Sequence, residues 1–169
     1  MEVEESLKYW RDAGHVARRT LEAMKLELQP GKTFHEIIES AERFIHRHGG
    51  KPAFPGTIHT NDLAAHFTTN HSIEGVEGWG GETVLEKGDC VKIDYGVHIK
   101  GHIGDNALTF EVGNTNNHTE QIKAAKEARD AAIEVMHPGT PWYKVGAAAA
   151  QPSICLLYTS DAADESSSG

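Results

Sequence analysis

Two aspartates, Asp94 and Asp105, stand eleven residues apart inside the otherwise apolar stretch 90–110. Val91, Ile93, Val97 and Ile99 alternate with more polar residues, the period of a half-buried strand. Lys100-Gly101 is a turn signal, and a second β-rich stretch follows it, so the segment is expected to be a hairpin. A two-residue loop sets Asp105 opposite Gly96 and leaves Asp94 one diagonal step away on the same face. Diagonal neighbours are about 7–8 Å apart at the backbone, close enough for two carboxylates to converge. Like charges at that range repel unless a cation lies between them. The pair therefore points to a divalent metal site. Two solvated aspartates on an exposed hairpin are the plain alternative. Asp is a poor strand former, and two on one face need a reason.

The elements that must hold this hairpin can be traced along the chain. Residues from about 5 to 28 carry Leu7, Trp10, Gly14, Ala17, Leu21, Met24 and Leu28 at three- or four-residue steps, which predicts an amphipathic helix stopped by Pro30-Gly31. Thr33 and Glu36 form a capping-box pattern for a second helix. Its buried face would carry Phe34, Ile37, Ile38, Ala41, Phe44 and Ile45, and Gly49-Gly50 would end it. A short extended stretch and a long loop lead to Val84-Leu85, and Glu86-Lys87-Gly88-Asp89 turns the chain into the hairpin. A third helix is expected at roughly 119–136, with Ile122, Ala125, Arg129, Ala132, Ile133 and Met136 on one side. A fourth should open at Thr140-Pro141. Pro30-Gly31 and the residues after it parallel Pro138-Gly139 and its followers at an offset of 108 residues, which predicts an internal repeat.

Composition removes several function classes. The 169 residues can bury one sizeable core and suggest one domain. A net charge of −9 with no basic cluster argues against a nucleic-acid surface. No apolar run is long enough to span a bilayer, and the opening Met1-Glu2-Val3-Glu4-Glu5 lacks the features of a signal peptide. Cys90 and Cys155 have no ligand spacing, so a reduced, cytoplasmic protein is expected. Of the eleven histidines, His46, His48 and most others read as exposed positions.

An ordered series of motifs goes further. Lys51-Pro52-Ala53-Phe54-Pro55 is followed by Asn61-Asp62-Leu63-Ala64-Ala65-His66-Phe67-Thr68, then by Val84 to Asp89, Lys92 to Ile99, and Asp105. The series resembles the N-terminal half of type II methionine aminopeptidases, archaeal members above all, over residues from about 5 to 152. The resemblance implies an α/β "pita-bread" fold, helices packed on a mainly antiparallel sheet, of two pseudo-symmetric halves, which would account for the repeat. It implies removal of the initiator methionine from nascent proteins, with nascent polypeptide N-termini as partners and the ribosome as a compatible site of action. It also implies two divalent metal ions (Co, Mn, Fe or Zn). Residue by residue, Asp94 matches a ligand that grips one metal through both oxygens, and Asp105 matches a ligand bridging the two. His66 matches a catalytic histidine that contacts the scissile amide of the substrate. Phe54 matches an aromatic of the pocket for the methionine side chain. His98 shares the face of Asp94 but matches no ligand.

Two departures stand out. Residues 70–82 hold a Gly-rich insertion (Gly75, Gly78, Gly80, Gly81) at the expected rim of the substrate pocket. The resemblance also requires a His and two Glu as further ligands from a C-terminal half that these residues do not include. Residues 155–165 resemble one reading frame of a translated sequencing adapter. The expectation is therefore an N-terminal part of the catalytic domain over 1–152, a non-native tail over 153–169, and a fragment inactive by itself. The rival function is a metal-free pita-bread scaffold that binds protein or RNA, against which the retained acidic pair and the negative charge both argue. A prolidase-like peptidase is disfavoured by Ala64-Ala65-His66-Phe67-Thr68.

Overall fold

A computed structural model describes residues 3–63, 65, 67–69 and 80–152. His66, most of the Gly-rich insertion and the tail 153–169 lie outside the described residues.

Two compact units divide the chain, Met1–Asn117 and His118–Gly169. In the first, helix α1 (Val3–Glu27) ends just before Pro30-Gly31, and Gly31 takes φ +87°, a conformation glycine adopts at little cost. Helix α2 (Phe34–Arg47) opens with the expected capping box. The Thr33 hydroxyl accepts from the Glu36 backbone N–H, and the Glu36 carboxylate accepts from the Thr33 N–H at 2.8 Å. Short strands β1 (Lys51–Pro52) and β2 (Thr57–Thr60) follow, then the long strands β3 (Cys90–Ile99) and β4 (His102–Glu111).

Strand β3 is the centre of a four-stranded sheet. It pairs β4 on one side and both β1 and β2 on the other, antiparallel throughout. The turn at Lys100 (φ +48°) and Gly101 (φ +83°) has positive φ at both central positions, as a type I′ hairpin turn needs. The resulting register places Gly96 opposite Asp105 and Asp94 opposite Ala107, as the two-residue loop predicts.

Alternation then separates two faces of β3. Val91, Ile93, Tyr95 and Val97 are buried, and join Val16, Ala17, Leu21 and Met24 of α1 and Phe34, Ile37, Ala41 and Ile45 of α2 in one core. Lys92, Asp94, Gly96 and His98 lie on the opposite face. Helix α1 approaches the hairpin at a bare spot. A Cβ on Gly104 would come within 2.6 Å of the Gly14 backbone nitrogen, so backbone meets backbone there.

The buried stripe of α1 starts later than its spacing predicts. Leu7 and Trp10 are 47 % and 50 % exposed, whereas Ala13, Val16, Ala17 and Thr20 are buried. The reason is the Gly14–Gly104 contact, which sets the small residues of α1 against the sheet. Trp10 instead sets its ring edge-on against His102 at 5.4 Å. The end of β2 is locked by Asn61, which takes φ +52°. Its side chain donates to Asp89 at 2.9 Å and accepts from the Cys90 N–H at 3.0 Å.

The second unit holds α3 (Thr119–Val135) and a further helical run over 142–152. Its turn repeats that of the first unit. Helices α1 and α3 end 108 residues apart, at Glu27 and Val135, and the next helices begin 108 residues apart, at 34 and 142. Gly139 has φ +88° against +87° for Gly31. The repeat read from the sequence is thus present in the backbone. The expected apolar side of α3 is largely open, with Ile133 59 % and Met136 49 % exposed and Ala124 buried.

Candidate metal and substrate site

The outward face of β3 and β4 gathers most of the predicted site. Asp94 comes from β3 and Asp105 from β4, and the register puts them on one face, one diagonal step apart. Asp94 is half-buried, with its Oδ1 removed from solvent, and Asp105 is exposed. Strand β2 covers the far side of Asp94, because Thr57 is its partner in register and His59 is the partner of Lys92.

Phe54 reaches the same face. The Ala53 N–H donates to the Gly96 carbonyl at 2.8 Å, which holds the β1–β2 connection against β3. The Phe54 ring then rests on Gly96, where a Cβ would come 2.1 Å from Cε1 and 2.5 Å from Cδ1. Gly96 is also the residue opposite Asp105. An aromatic wall therefore stands over the strand position that adjoins both carboxylates, and only a residue without a side chain admits it there.

The donor set fits a hard divalent cation in kind, being two carboxylates on one face of neighbouring strands. It does not close a site. Among the described residues, no group of three or more His, Cys, Asp or Glu is arranged to hold a metal. His98 stays apart from that role, its Nδ1 accepting from the Gly101 N–H at 3.4 Å beside the hairpin turn.

The segment after His66 is tied down on both sides. The Phe67 carbonyl accepts from the Ile58 N–H at 3.0 Å, and the Thr68 hydroxyl donates to the Gly56 carbonyl at 2.7 Å. The Phe67 ring packs edge-on against Phe34 at 5.9 Å. Sequence reasoning missed three contributors: Thr57, the Gly96 seat and strand β2 itself. The alternation of Thr57, Ile58, His59 and Thr60 carried the signal for β2, but four residues between a proline-glycine pair and a loop are too few to read with assurance.

The match to known proteins extends along the same residues. The model of metallopeptidase family M24 matches residues 8–153. A methionine aminopeptidase of Thermococcus onnurineus is 40 % identical over 136 residues, 80 % of this chain and 43 % of the relative. One from Pyrococcus horikoshii is 39 % identical over 81 % of this chain and 43 % of its own length. The chain thus spans less than half the length of these relatives. Among solved structures, a methionine aminopeptidase from Rickettsia prowazekii superposes with a TM-score of 0.76 at 25 % identity, covering 90 % of this chain and 60 % of that one. An Escherichia coli aminopeptidase P reaches 0.79 at 21 % identity over 92 % of this chain and 34 % of that one, which shows a shared fold. Helices on an antiparallel sheet are the part of the pita-bread aminopeptidase fold that the chain spans.

Proposed function

Because the chain belongs to metallopeptidase family M24, we propose that it serves in removing the initiator methionine from nascent proteins in the cytoplasm. It would be the part of a dimetal aminopeptidase that contributes Asp94, Asp105, His66 and Phe54. The observation that carries this reading is the register that brings Asp94 and Asp105 onto one sheet face beneath the Phe54 ring. Co, Mn, Fe or Zn ions held there would supply the Lewis acidity that peptide hydrolysis needs.

The chain's own residues have separate tasks. Asp94 and Asp105 would hold the cations, whose positive charge offsets the repulsion between the two carboxylates. Phe54 offers an apolar surface to the unbranched methionine side chain, and sulfur–aromatic contact favours that fit. His66, one residue before the tied segment, hydrogen-bonds the scissile amide and favours the charge that develops on it.

Two carboxylates are too few for a dinuclear centre, so the 169 residues alone are proposed to be inactive. The test is a Met-Ala-Ser peptide supplied with Co or Mn. The 169-residue chain leaves it intact, and a complete enzyme containing these residues releases methionine. Failure of that enzyme to cleave, or equal release of a bulky β-branched residue, would overturn the reading.

A further inference from the structure

On the face of the hairpin opposite the carboxylates, a serine and a histidine meet where α1 passes the hairpin turn. Ser6 Oγ, on the opening turn of α1, lies 2.8 Å from Nε2 of His102, the first residue of β4. The other ring nitrogen, Nδ1, lies 3.1 Å from the Lys100 carbonyl oxygen and 3.3 Å from that of Ile99. A carbonyl only accepts hydrogen bonds, so Nδ1 carries a proton. In the neutral ring Nε2 then has a lone pair, and the Ser6 hydroxyl donates to it. A hydroxyl donating to an imidazole whose far nitrogen is held by an acceptor is the arrangement that activates a serine nucleophile.

The surroundings fix the base and leave the hydroxyl reachable. His102 is 8 % exposed. Its ring sits 5.4 Å from the Tyr9 ring and 5.4 Å from the Trp10 ring, which meets it edge-on. Ser6, Tyr9 and Trp10 follow at i, i+3 and i+4, so one helix face carries the hydroxyl and both rings. Tyr9 is itself tied down, accepting from the Lys100 ammonium at 2.6 Å and donating to Glu5 at 2.8 Å. Ser6 is half-buried and Trp10 half-exposed, which leaves an apolar surface on the same helix face for an acyl chain.

We propose that Ser6 is an acylation site, its hydroxyl activated by His102 toward activated esters of small apolar acyl groups. Ser6 Oγ attacks the acyl carbon and its proton passes to His102 Nε2. The bond from that carbon to the leaving alcohol breaks, and the alcohol takes the proton from His102. The products are an acyl ester on Ser6 and the free alcohol. The step uses neither Asp94, Asp105 nor His66, so it is independent of the aminopeptidase reading. General-base help supplies about 10²–10⁴ in rate, and the expected outcome is a single slow acylation rather than turnover.

The experiment treats the full chain with p-nitrophenyl acetate, follows p-nitrophenol release, and maps the acetyl group by peptide mass spectrometry. Acetyl on Ser6 is expected, removable by neutral hydroxylamine as an ester is and a lysine amide is not. Ser6→Ala loses this labile label, and His102→Gln slows its formation on the order of 10²-fold. Ser40, also half-buried but on α2, is the internal reference, so the comparison holds even if His102→Gln fails to fold. A serine that only ties α1 to the hairpin would be acetylated no faster than Ser40. That result, a label confined to lysines and the N-terminus, or an undiminished rate in folded His102→Gln, overturns the proposal.

Discussion

Alanine at Gly104 tests the packing that carries the hairpin. A Cβ added there would lie 2.6 Å from the Gly14 nitrogen and 2.7 Å from both the Ala13 carbonyl carbon and the Gly14 Cα. All three atoms are helix backbone, so no rotamer change relieves the overlap. Helix α1 must recede by roughly 1 Å to reach ordinary contact, and a gap of that size forfeits a quarter to a half of the dispersion well of each atom pair it opens. Ala13, Val16, Ala17, Leu21 and Met24, all buried along α1, lose contact together. The expected cost is about 3 kcal/mol, at the upper end for overpacking, or roughly 10 °C in melting temperature for a unit of this size. Gly14→Ala on the other side of the same contact has the opposite sign. Its Cβ would meet nothing within 4 Å, and alanine inside a helix is favoured over glycine by about 1 kcal/mol. Thermal melts followed by circular dichroism of both variants check this. A Gly104→Ala melt within about 1 °C of wild type would refute the close approach, and a destabilised Gly14→Ala would contradict the open space beside Gly14.

Other perturbations have equally definite outcomes. Tyr95→Phe should raise stability by about 1 kcal/mol in denaturant titration. Among the described residues the buried Tyr95 hydroxyl has no hydrogen-bond partner, and burial, aided by Glu42, pushes its pKa far up. Thr33→Ala should cost about 1 kcal/mol by removing the α2 cap. The Glu36 pKa is lowered, chiefly by the Thr33 backbone N–H. A depressed carboxylate stabilises above its ordinary pKa, and that contribution is lost as pH falls through the folded value. Acid titration of α2 helicity should therefore show a transition below the usual carboxylate range that Glu36→Gln abolishes. In a complete enzyme, His66→Ala should lower methionine release by about 10²–10³ while leaving bound metal unchanged. Metal loss with normal turnover per remaining ion would contradict the role given to His66.

Most of what positions the carboxylates was legible in local chemistry. Positive φ at Lys100 and Gly101 fixes the loop length, the loop length fixes the register, and the register decides that Asp94 and Asp105 share a face. The Thr33–Glu36 box and the Pro-Gly stops are likewise local signals. What escaped depends on contacts distant in sequence. Trp10 looks like a core residue by spacing, yet the bare backbone of Gly104 draws the next turn of the helix in and leaves Trp10 half-exposed. The Gly96 seat for Phe54 is invisible to periodicity, because an absent side chain leaves no apolar mark. The link from His35 to Thr69 joins residues 34 apart that share no pattern.

Manganese titration of the 169-residue chain, read by loss of the free-ion paramagnetic signal, bears most directly on the claim that Asp94 and Asp105 are metal ligands. The account predicts weak, saturable binding that Asp94→Asn and Asp105→Asn each diminish and that the double substitution removes. Binding untouched by the double substitution, or tight uptake of two ions per chain, would contradict it.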